Sequence, residues 1–122
     1  MTDVIAQRLF RKGKGSAVVA RIHAPERMPD SSEWSCKVDV QGLEARYEQV
    51  AVGVDSFQAL CLGLRLLCAH LDKFAASLRF LDGREGDTGT PLIVPWSFSP
   101  SLKAEAYRLI DGKIKDELGA EQ

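Results

Sequence analysis

The apolar residues of this chain change their spacing at Gly53-Val54-Asp55-Ser56, and that change dictates the fold class. Upstream, hydrophobicity alternates. Val18, Ala20 and Ile22 oppose Val19, Arg21 and His23; Trp34, Cys36, Val38 and Val40 oppose Ser35, Lys37, Asp39 and Gln41; Val50, Val52 and Val54 share one face of ARYEQVAVGV. A period of two is that of half-buried strands. Downstream, Phe57, Leu60, Cys61, Leu64, Leu67, Cys68 and Leu71 recur at offsets of three and four, with Leu62 and Leu66 widening the stripe. That is a helix buried over more than half its circumference. Asp55 or Ser56 is placed to cap it, and Gln58 completes a capping-box-like pair with Asp55. Extended chain followed by one long apolar helix predicts a two-layer α+β domain with the helix lying across the sheet.

The remaining segments fill in that plan. VIAQRLF at 4–10 reads as a strand, and RKGKGS as the solvated turn that leads into SAVVARIHA, forming a first hairpin. APERMPDSSE reads as a loop, and Gly42 as the turn of a second hairpin ending at Gly53. LRFL after Ser77 reads as a short fifth strand, DGREGDTGTP as an exposed loop, and PLIVPWSFSP as an extended segment too apolar to be simply solvated. Ser99-Pro100 suits a helix start, and Leu102, Ala106, Leu109, Ile110 and Ile114 form a second stripe, weakened by about 1 kcal/mol at Gly112. The expected architecture is a single domain over residues 1–122. Its antiparallel meander sheet of four or five strands occupies 2–54, the central helix 55–76, a loop and extended segment 77–98, and a C-terminal helix beside the central one 99–118.

Length and charge narrow the function classes. With 122 residues the chain can bury a core without disulfides or metal. Sixteen Lys and Arg against 17 Asp and Glu give a formal charge of −1, so no basic field favours nucleic acid. No apolar run approaches the roughly 20 residues of a membrane span, and the N-terminus lacks a basic region followed by an apolar one, so a cytoplasmic protein is expected. Cys36, Cys61 and Cys68 are odd in number, which points to reduced, buried thiols rather than a disulfide scaffold.

WSC at 34–36 and GVDSFQAL at 53–60, followed by the leucine-rich helix, resemble a family of small bacterial domains of unknown function. In that family a Trp-x-Cys strand precedes a Gly-Val-Asp-Ser-x-Gln-Ala-Leu helix start. The likeness runs over about residues 15 to 98 and leaves the C-terminal helix outside; the strand entering Gly53 is more charged here than the pattern. The resemblance implies an architecture and carries no catalytic residues. By analogy with antidote or accessory proteins encoded beside toxins, it implies a binding role.

No constellation in the sequence has the spacing of catalytic or metal chemistry. Cys61, Cys68 and His70, with His23 or Cys36, are the only Cys/His grouping, but Cys61 and Cys68 lie about 10 Å apart along the helix, unlike a C-x₂₋₄-C pair. Ser56 lacks the second glycine of a nucleophile elbow. A dyad of Cys36 with either histidine needs a proximity that no spacing reveals. RKGKGS fails the phosphate-loop pattern, and the carboxylates of the glycine-rich loop fail the EF-hand pattern. Neither a catalytic residue nor a cofactor or metal is therefore expected. The expected role is a non-catalytic protein-binding domain, an immunity or antidote protein whose partner is a toxin or effector, contacted through Arg84, Glu85, Asp87, Trp96 and Phe98. The alternatives are a small enzyme or ligand-binding domain in a cleft between sheet and helix, with His23 or His70 as proton carrier, and a homo-oligomeric scaffold joined through PLIVPWSF.

Overall fold

The computed structural model describes residues 3–13, 15–80, 88–91 and 99–120. Six strands form one antiparallel sheet: β1 (Val4–Lys12), β2 (Ser16–His23), β3 (Glu26–Arg27), β4 (Trp34–Gln41), β5 (Tyr47–Gly53) and β6 (Leu78–Phe80). Two α-helices, α1 (Ser56–Lys73) and α2 (Pro100–Ala120), complete the fold, with a 3₁₀ turn at Ala75–Ser77 after α1.

The long strands pair in meander order, β1 with β2, β2 with β4, β4 with β5. The last strand departs from that order. It returns across the sheet to pair with the outer side of β1, setting Phe10 opposite Phe80. β3 falls inside the expected loop APERMPDSSE. It takes up β4 where β2 leaves off, pairing Glu26 with Ser35 and Arg27 with Trp34. Pro25, which has no N–H to donate, sits at the break between β2 and β3. The first hairpin closes as expected on Lys12 opposite Ser16, with Gly13 and Gly15 at positive φ.

Alternation decides which side chains meet α1. Val18, Ala20 and Ile22 of β2 and Cys36, Val38 and Val40 of β4 are buried on one face with Phe10 and Leu78. Ala59, Leu67 and Leu71 of α1 close over them, and Trp34, Leu60, Leu64 and Leu66 are half-buried around the rim. Asp55, not Ser56, is the cap: its carboxylate accepts from the Gln58 N–H at 2.8 Å, while Gln58 Oε1 accepts from the Val54 N–H at 2.8 Å. Gln58 therefore reaches one residue further back than in the usual capping box.

The buried line of α1 is rotated from the leucine stripe. Ala59, Gly63, Leu67 and Leu71 face the sheet, whereas Cys61 is exposed and Phe57 is 75% exposed. The expectation of buried thiols holds for Cys36 and Cys68 and is corrected for Cys61. The reason is distance. A Cβ on Gly63 would come within 2.9 Å of Cys36 Sγ, and one on Gly53 within 2.5 Å of the Ala59 backbone nitrogen, so the helix start lies on the strands through its smallest residues. On β5 the same closeness buries Ala51 and Gly53 and turns Val50 and Val52 to the opposite face.

α2 starts on the expected cap, with the Lys103 N–H donating to Ser99 O at 2.9 Å and the Leu102 N–H to Ser99 Oγ at 3.3 Å. It continues through Gly112 without a break. It does not lie packed beside α1 as the sequence led us to expect. From Pro100 to Gly119 its side chains are exposed, with Ala106 alone half-buried.

Candidate functional site

The sheet face turned away from α1 carries a buried ionic cluster. Alternation that sends Ala20, Ile22, Val38 and Val40 inward sends Arg21, His23 and Asp39 outward, and the β2–β4 register sets Arg21 directly opposite Asp39. His23, two residues along, reaches the same carboxylate diagonally. Arg21 Nε donates to Asp39 Oδ1 at 2.9 Å, and His23 Nε2 lies 2.6 Å from Asp39 Oδ2. The Asp39 side chain is 1% exposed, the His23 side chain 9% and the Arg21 side chain 27%.

Burial pushes the Asp39 pKa up, but the hydrogen bonds from His23 and Arg21 and the Arg21 charge outweigh it, and the net direction is down. The carboxylate stays ionised at neutral pH. An ionised carboxylate only accepts, so His23 Nε2 is the donor in this contact. The arrangement fixes the orientation of an imidazole, as carboxylates do for catalytic or ligating histidines.

Cys36 does not complete a dyad with it. The Cys36 thiol lies on the core face and donates to the His23 backbone carbonyl at 3.4 Å, and burial pushes its pKa up, away from the reactive thiolate. Among the described residues no group of three or more His, Cys, Asp or Glu is placed to hold a metal ion. Ser56 is an exposed first-turn residue of α1.

The other histidine occupies the core side. His70 stacks on Tyr47 with ring centroids 3.7 Å apart and planes 11° apart, and tilts against Phe74 at 5.0 Å. Its Nε2 is buried without a hydrogen-bond partner among the described residues. Burial, reinforced by Lys73, pushes its pKa below the ordinary value of 6.5. The unfolded chain therefore takes up this proton more readily than the folded one. Stability from His70 is complete above about pH 6.5 and drains as pH falls below it. Thermal melts at about pH 7.5 and 5.5 should show the wild type losing stability on acidification. His70→Phe, which keeps the stack without the charge, should lose less; an equal loss would place the titration elsewhere.

A third cluster anchors the short stretch Thr88–Pro91. Arg8 stacks over Phe80 at 3.9 Å and donates from Nη1 to the carbonyls of Gly89 at 2.9 Å and Thr88 at 3.3 Å. Asp72 accepts from Thr90 Oγ1 at 3.0 Å. Thr88 is 5% exposed, so the end of DGREGDTGTP is docked on the domain instead of lying in an exposed loop. The residues expected to touch a partner, Arg84, Glu85, Asp87, Trp96 and Phe98, lie outside the described residues.

A second feature of the surface is the edge at β5. Among the described residues β5 pairs with β4 alone. Val50 is 54% exposed and Val52 42%, on the face away from α1, and Val54 and Phe57, where the chain enters α1, are also exposed. No described helix is long and apolar enough to cross a membrane.

No curated protein and no solved structure matches the chain. A family model does, over residues 6–92, a span that takes in β1 from its third residue, β2 to β6 and α1, and stops short of α2. With more than two thirds of its length matched, the chain belongs to the family described as a domain of unknown function (DUF6968).

Proposed function

We propose that the chain is a non-catalytic protein-binding domain, and within that class an immunity or antidote protein that neutralises a toxin or effector by covering it. The observation that carries this reading is the β5 edge. Among the described residues β5, YEQVAVG, is a seven-residue edge strand with no lysine or proline, Glu48 being its one charged side chain. Its Val50 and Val52 are exposed, as are Val54 and Phe57 beyond its end. A partner segment added to this edge gains main-chain hydrogen bonds from the strand and specificity from its exposed side chains. The test is capture from a native lysate by the full chain, in parallel with a Val52→Lys, Phe57→Asp variant. One stoichiometric partner is expected on the wild type and at least about tenfold less on the variant, a loss of about 1.4 kcal/mol. Equal recovery, or recovery of nothing, overturns the reading.

A ligand-binding or proton-transfer domain is the second reading, and the 2.6 Å contact of His23 with Asp39 favours it. Its location differs from the cleft expected between sheet and C-terminal helix, because His23 faces away from α1 and α2 is exposed. This reading requires His23→Gln to abolish ligand binding or turnover while partner capture through β5 persists.

A further inference from the structure

We draw no further inference here: the strongest candidate, the pair of arginines, Arg11 and Arg79, that the β1–β6 register sets opposite each other beside the glycine turn of the first hairpin, carries nothing because the acidic stretch that follows β6 lies outside the described residues and nothing in the structure shows what covers the pair.

Discussion

Replacing Asp39 with alanine is expected to cost the folded state about 3 kcal/mol, read as a fall in the urea midpoint with an unchanged slope. The carboxylate holds Arg21 and His23 at 2.9 and 2.6 Å, and removing it leaves a guanidinium and an imidazole without their shared acceptor. The figure sits at the low end for a broken buried pair because Arg21 is 27% exposed and water rehydrates part of it. The pH dependence carries its own signature. A carboxyl whose folded pKa is depressed contributes stability above its unfolded value, about 3.9, and loses it only as pH falls through the folded value. Asp39 therefore supports the fold across the neutral range and fails only in strong acid, well below the region where His70 acts. Asp39→Ala should flatten the acid limb and leave in place the loss that His70 brings below about pH 6.5. A loss under about half a kilocalorie would mean the cluster is solvated.

Gly53→Val should be at least as damaging, about 3 kcal/mol or more. The new side chain would begin 2.5 Å from the Ala59 backbone nitrogen and 3.0 Å from Ala59 Cα, so the first turn of α1 must lift from β5. Lifting it also strains the Asp55 cap, whose geometry depends on the strand and helix meeting at this point. Gly63→Ala is milder, about 1 to 2 kcal/mol, because its neighbour at 2.9 Å is the Cys36 sulfur, the end of a side chain that a Cys36→Ala change removes. Guanidinium melts of the three variants should show Gly63→Ala partly rescued by Cys36→Ala and Gly53→Val rescued by nothing on the strand. Equal costs for the two glycine variants would place the closest approach of helix and sheet elsewhere.

The two-layer plan was legible because it rests on periods, which are local. Alternation in β2 and β4 identified every buried residue of those strands on the helix side, and the cap stood in the sequence as the Asp55-Ser56 pair before an apolar stripe, with the structure choosing Asp55. What the sequence did not show depends on distances between elements. The leucines marked a stripe on α1, but the helix approaches the sheet so closely that Ala59 and Gly63 take the central contact and Cys61 is left in water. Small residues at a spacing of four were the available signal. The exposed valine face of β5 is the same effect seen from the strand.

The ionic cluster was hidden for a different reason. Arg21, His23 and Asp39 each fell on the polar face of a correctly drawn strand, but their meeting depends on the register of β2 against β4. That register is set across the 24–33 connection, where β3 replaces part of a loop. Opposite charges on the outward faces of two strands hint at a pair; only the register selects which. α2 was legible as a helix from its cap and stripe, yet amphipathicity says only that a face must be covered and does not name what covers it.

The return of β6 to the outer side of β1 governs how the molecule is completed during synthesis. The β1–β2 and β4–β5 hairpins join neighbouring stretches of chain and close quickly, but Phe10 waits for Phe80. Until the ribosome has released Leu78–Phe80, the nascent sheet carries an unsatisfied flank at its amino-terminal end, open to any extended polypeptide nearby. A chain stalled or cleaved before that point is the species most in need of a chaperone.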